Sequence, residues 1–127
     1  PTATATRTPT ITPSVTPTMT VSVSPSSVIE GNNATFTIST SVIVSKPVTI
    51  NYVMRGTAFN GSDYTLNGTL GQATIAAGQR SVTIALHSIA DHVKERSETA
   101  VMALVTGSGY KLPKSGGKAS LTILNGP

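Results

Sequence analysis

The chain has no cysteine and no tryptophan among its 127 residues. Without cysteine it has no disulfide framework and no thiol nucleophile, so packing, sheet hydrogen bonds or ions must hold it together. Two Phe and three Tyr leave little surface on which bases could stack. The nine basic residues are scattered over Arg7, Lys46, Arg55, Arg80, Lys94, Arg96, Lys111, Lys114 and Lys118, and only the last three come near one another. A nucleic-acid binder carries a dense basic stripe, so no nucleic-acid partner is expected. There is no run of 18 apolar residues and hence no expected membrane span. Acids are scarcer still, five in all. The chain opens on Pro1 rather than methionine, as expected of a processed product or a piece of a longer chain.

What is present falls into two parts. Residues 1–18, PTATATRTPTITPSVTPT, are almost only Thr and Pro. Proline fixes φ and removes donors, which favours an extended, polyproline-like arm over helix. The arm has nothing with which to build a core. Residues 19–127 are the folding unit, and their length of roughly 109 residues is that of a β-sandwich.

Within that unit apolar and polar residues alternate with period two, the pattern of half-buried strands. The alternation predicts strands at 19–24, 34–40, 48–54, 72–75, 81–87, 99–105 and 119–124, separated by Gly, Asn, Ser and Pro turns. Ala34, Phe36 and Ile38 fall on one face, as do Val48, Ile50 and Tyr52, and Val82, Ile84 and Leu86. Residues 89–96 are the one stretch that could make a helical turn, and at this length they read as a loop. The expectation is an all-β, seven-stranded antiparallel Greek-key sandwich, immunoglobulin-like in shape, with an extended N-terminal arm.

Catalysis finds little support. His87 and His92 are the only histidines. His87 lies opposite the apolar face of its strand, and His92 lies beside Asp91 in a polar loop. No turn motif presents a serine, and two histidines five positions apart make a poor zinc site. The chain is therefore expected not to be an enzyme. Sugar acceptors are more plausible. Asn33, Asn60 and Asn67 each open an Asn-x-Ser/Thr triplet in or beside a loop, and Thr8, Thr10, Thr12, Thr16 and Thr18 suit O-linked sugar.

Several motifs occur in a fixed order. VIEG (28–31) precedes the strand at 34–40. PVTINY (47–52) leads into GTAFNGSDYT (56–65), then NGT (67–69) and ATIAAGQRSVTI (73–84). IAD (89–91), ERSET (95–99) and LTILN (121–125) follow. This order resembles the Calx-beta domain family, whose members occur in sodium–calcium exchangers, an integrin β subunit and bacterial surface and adhesion proteins. The resemblance implies a seven-stranded sandwich and, in some members, Ca²⁺ bound at one end. Carried over position by position, it points to Glu30, Asp63, Asp91, Glu95 and Glu98, which are all five acids of the chain. Where the family often has further aspartates, this sequence reads Ala90-Asp91-His92 and Asn125-Gly126-Pro127. Ca²⁺ takes six to eight oxygens, so a set this depleted implies weak binding or none. Asp63 and Glu98 have a structural role open to them as well, capping backbone N–H groups at turns. No cofactor is expected beyond the Ca²⁺ that the resemblance raises.

The arm suggests a partner. Eighteen extended residues reach about 55 Å at ~3 Å each, whereas a domain of this size has a radius of gyration near 13 Å. The arm can therefore lie along a neighbouring copy, and open sheet edges are templates for an added strand. Residues 8–23 supply apolar side chains at Ile11, Val15, Met19, Val21 and Val23. A head-to-tail tie of this kind propagates as a filament. The first functional expectation is thus a non-catalytic extracellular or cell-surface homopolymer subunit. The alternative is a Ca²⁺-binding adhesion or interaction module with the Thr/Pro stretch as a linker.

Overall fold

In the computed structural model, residues 16–90, 96–115 and 117–124 are described. Nine strands run through them: β1 Met19–Ser24, β2 Ser27–Ile29, β3 Asn33–Thr40, β4 Val48–Arg55, β5 Tyr64–Leu66, β6 Gln72–Ile75, β7 Ser81–Ser88, β8 Glu98–Val105 and β9 Lys118–Leu124. They form two sheets, ordered β1-β3-β7-β5 and β2-β9-β8-β4-β6. The described residues contain no helix.

Each of the seven expected strands is present, and the all-β sandwich is what the chain adopts. Two additions correct the count. β2 and β5 are three residues each, too short to show a period in sequence. β2 also corrects the expectation of a purely antiparallel sandwich. After β1 the chain crosses from the first sheet to the second, and Ser27–Ile29 pairs in parallel with Thr122, Ile123 and Leu124 of β9. Only Val28 of this strand is buried.

The alternation does its work in the core. Phe36, Ile38, Ile84 and Leu86 of the first sheet face Ile50, Tyr52, Met102, Leu121 and Ile123 of the second, and all are buried. A buried side chain of this size stabilises the fold by about 1.5–3 kcal/mol relative to exposure. Tyr110, in the loop before β9, is buried too. Its hydroxyl donates to the Val105 carbonyl and accepts the Asn51 N–H.

Charge is kept out of the sheets. β1, β3, β5 and β7 contain no Asp, Glu, Lys or Arg. In the second sheet the charged residues sit only at strand ends: Arg55 closes β4, Glu98 opens β8 and Lys118 opens β9. The remaining charges among the described residues are in loops, which sends them to the two ends of the sandwich.

Candidate functional site

One end of the sandwich gathers the turn after β2, the end of β7, the start of β8 and the end of β9. The Glu30 N–H donates to the Leu124 carbonyl (3.0 Å), carrying the chain past the end of β9. Glu98 pairs with Ile123 on the other side of that strand. Glu98 shares the parity of the buried Ala100, Met102 and Leu104, and Glu30 that of the buried Val28. Both are half-buried and flank the end of β9, Glu98 on the inward-facing row of β8 and Glu30 in the turn just past β2.

Side chains hold this end together. Ser88 is fully buried. Its hydroxyl accepts the Gly31 N–H (3.0 Å) and donates to the Asn32 carbonyl (2.7 Å), which also accepts the Ser88 N–H (3.1 Å). The turn bearing Glu30 is thereby tied to the end of β7. Thr57 and Thr99 bond reciprocally, each backbone N–H to the other's Oγ1, at 3.2 and 2.9 Å. Sequence reading passed over Ser88. The signal was present, since it takes the inward parity of Ile84 and Leu86, and a polar residue in that row needs partners.

The other acids stand as follows. Asp63 is half-buried in the loop before β5. One of its carboxylate oxygens, Oδ2, accepts the Phe59 N–H (2.7 Å), and its own N–H donates to the Phe59 carbonyl (2.8 Å). Its carbonyl accepts the Ile89 N–H (2.9 Å), which brings the loop to the same end. Asp63 therefore acts as a turn cap. Asp91 and Glu95 lie outside the described residues. Among the described residues no three His, Cys, Asp or Glu side chains form a group able to hold a metal. Glu30 and Glu98 are a partial set, short of the oxygen shell that Ca²⁺ requires.

The remaining candidates are placed by the fold. Asn33, Asn60 and Asn67 are all exposed. Asn33 Oδ1 pairs with His87 Nδ1 on the outer face of the first sheet, and Asn67 Oδ1 accepts the Ala85 N–H. Thr16 is exposed, whereas Thr18 is half-buried and bonds Ser41 through its backbone. Thr8, Thr10, Thr12, Ile11 and Val15 lie outside the described residues. The expectation that Met19, Val21 and Val23 serve a neighbour needs correction. They lie in β1, paired with β3 of the same domain, with Met19 and Val21 buried in its core and Val23 packed against it. Their alternation is spent on the domain's own sheet.

No family model and no curated protein matches this chain. Among solved structures it is similar to CBD12 from CALX1.2, at 21% identity and a TM-score of 0.65. It is also similar to the calcium binding domain CBD12 of CALX1.1, at 22% identity and 0.63. In both cases the match covers 83% of this chain and 44% of the other, so the chain spans less than half of those proteins. The apo-form Calx CBD1 domain matches over 85% of this chain and 99% of its own length, at 21% identity and 0.63. The resemblance read from the order of motifs is borne out as a fold: this chain has the sandwich fold of those Calx domains.

Proposed function

We propose that this chain is a non-catalytic interaction module of a secreted or cell-surface protein, a Calx-beta-type sandwich whose acidic end takes Ca²⁺ weakly. The observation that carries the reading is the half-buried pair Glu30 and Glu98, one on each side of the end of β9. The likeness of the fold to a calcium binding domain supports it. The exposed Asn-x-Ser/Thr sites and the Thr/Pro arm suit a surface protein. The reading of the arm as a tie between copies has less support, because its apolar residues from Met19 onward belong to the domain's own sheets.

Two carboxylates flanking one strand end fit at most the weak class of extracellular Ca²⁺ modules, with Kd around 10⁻⁴–10⁻³ M. At about 10 mM CaCl₂ and a Kd near 1 mM, native-state binding adds about 1.4 kcal/mol. Thermal unfolding in CaCl₂ against EDTA should then show a rise of about 5 °C in Tm. Glu98→Gln should abolish that rise while keeping the EDTA melting curve cooperative. An unchanged Tm, or an equal rise in Glu98→Gln, would refute the Ca²⁺ reading.

A further inference from the structure

The first sheet is open along half of one edge. Even-numbered residues of β7 bond β3, a phase set by Thr40 N–H to the Arg80 carbonyl (2.9 Å) and Ser88 N–H to the Asn32 carbonyl (3.1 Å). In antiparallel pairing the residues between them turn their N–H and C=O the other way. On that side β5 pairs only with Leu86, His87 and Ser88. Asn67 carries the pairing to Ala85, its N–H donating to the Ala85 carbonyl (3.1 Å) and its Oδ1 accepting the Ala85 N–H (2.6 Å). The chain then leaves for β6 of the second sheet. Ser81 and Thr83 are left with their backbone groups turned outward, and among the described residues nothing bonds them.

The core is open at the same place. A cleft of about 220 Å³ separates this stretch of β7 from β6, with Val82, Thr83 and Ile84 on one side and Gln72, Ala73 and Thr74 on the other. Ile84 and Leu86 are buried, yet Val82 in the same row is only half-buried, as is Ala73 across the cleft. An unpaired edge beside uncovered apolar side chains is a template for one more strand.

The chain contains a segment patterned for that place. Fifteen residues precede Thr16, the first described residue. Between positions 8 and 17 the odd positions are Pro9, Ile11, Pro13, Val15 and Pro17, and the even ones are Thr or Ser. In an added antiparallel strand, residues that turn their N–H to β7 share the outward face of Thr83, and the others point inward beside Val82. With the even residues turned to β7, two requirements are met together. Every proline, which lacks an N–H, falls on the solvent side of the edge, where no donor is needed. Every threonine side chain faces water, and Ile11 faces the cleft.

Reach selects the register. The strand order β1-β3-β7 sets the open side of β7 three strand spacings from β1, about 14 Å at ~4.8 Å each. With Thr12 opposite Ser81, the five steps from Thr12 to Pro17 span about 16 Å at ~3.3 Å each. Registers two or four residues later leave three steps or one, about 10 or 3 Å, which is too short. Direction agrees as well. A strand antiparallel to β7 runs from Ile84 towards Arg80, and leaves at the end where Thr18 bonds Ser41 and the Pro17 carbonyl accepts the Lys111 N–H.

We infer that residues 9–12 of the arm fold back as a further strand on the open edge of β7 in the same chain, with Thr10 opposite Thr83, Thr12 opposite Ser81 and Ile11 covering Val82. A tether this short gives the chain's own arm an effective concentration that another copy's arm lacks. The strand would close both the unpaired edge and the cleft beneath it. The inference is independent of Ca²⁺ binding.

Amide exchange followed by NMR on the whole chain tests it. The Ser81 and Thr83 N–H groups should exchange about tenfold or more slower than in a free peptide, at every protein concentration. Thr10→Pro puts a ring where an N–H faced β7, and should return both amides to the free-peptide rate. Ile11→Pro carries its ring on the solvent side and should keep their protection. Both substitutions lie outside the nine strands, so unchanged exchange at Phe36 and Leu86 reports an intact sandwich. Free-peptide exchange in the wild-type chain overturns the inference, as does an equal effect of the two substitutions. Protection that grows with protein concentration overturns it too, because the edge would then take the arm of a second copy.

Discussion

The acidic end of this sandwich, with Glu30, Asp63 and Glu98, and the basic end, with Lys46, Arg80 and Lys111, differ in what side chains add to their backbone bonds. At the basic end, backbone meets backbone: Thr40 with Arg80, Ser41 with Thr18, Val44 with Gln79, Gly78 with Val44, and Lys111 with both Met19 and Pro17. Side chains there add Ser41 Oγ, the exposed Arg80 guanidinium and the buried Tyr110 hydroxyl. At the acidic end, backbone bonds such as Glu30 to Leu124 and Ile89 to Asp63 are joined by side chains that close the turns. Ser88, Asp63, Thr57 and Thr99 each satisfy a backbone group that would otherwise lack a partner. A turn closed through its backbone tolerates many side chains, whereas one closed by a hydroxyl or carboxylate does not. The acidic end should therefore be the more sensitive to single substitutions.

Two glycines test this most strongly. Gly56 and Gly109 both have positive φ, +101° at the acidic end and +85° at the basic end. A Cβ on Gly56 would lie 2.4 Å from the Thr99 carbonyl oxygen, while one on Gly109 would meet nothing within 4 Å. Gly109→Ala should cost only the left-handed backbone, about 1–2 kcal/mol. Gly56→Ala adds a backbone clash and should cost about 3 kcal/mol or more. Urea unfolding of the two variants measures the gap. Equal losses would mean that the Thr99 contact gives way freely.

Two serines give a smaller contrast. Ser88→Ala strips the partner from the Gly31 N–H in a buried setting, which should cost about 1–3 kcal/mol. Ser41→Ala removes the exposed bond from the Thr18 N–H, which water can replace, and should cost about 0.5 kcal/mol. A reversed order would sink the contrast between the ends.

The smallest effect at neutral pH is alkaline. Tyr64 is buried opposite Ser88. Its pKa is raised above 10.0, first by burial, then by the Asp63 charge and by Tyr52. A folded value above the unfolded one leaves stability intact below pH 10 and lowers it as pH climbs through the folded value. Unfolding free energy between pH 9 and about 11 should fall for wild type and fall less for Tyr64→Phe. Parallel curves would exclude Tyr64 as the source.

Much of the fold was legible because alternation is a local signal. Phe36 and Ile38, or Ile84 and Leu86, declare their face two residues at a time, and strands of seven or eight residues repeat the message. Strands of three residues do not, so β2 and β5 were missed. Met19 and Val21 showed the same period as any core strand, and that period could not say whose sheet would receive them. The acids were legible as a set only through the order of motifs. Their geometry was not, because Glu30 and Glu98 are 68 positions apart in sequence and only the fold sets them on either side of the end of β9.

The sequence by itself determined that this chain would be two packed sheets with charge confined to turns and strand ends, because side-chain parity and the placing of Gly, Asn and Pro are written residue by residue. Only the tertiary structure decided which turns share an end. That depends on strand direction and on pairings such as β2 with β9, which join residues nearly a hundred positions apart. The fold thereby brings Glu30, Asp63 and Glu98 to one end, sets Lys46, Arg80 and Lys111 at the other, and gives Ser88 its two partners.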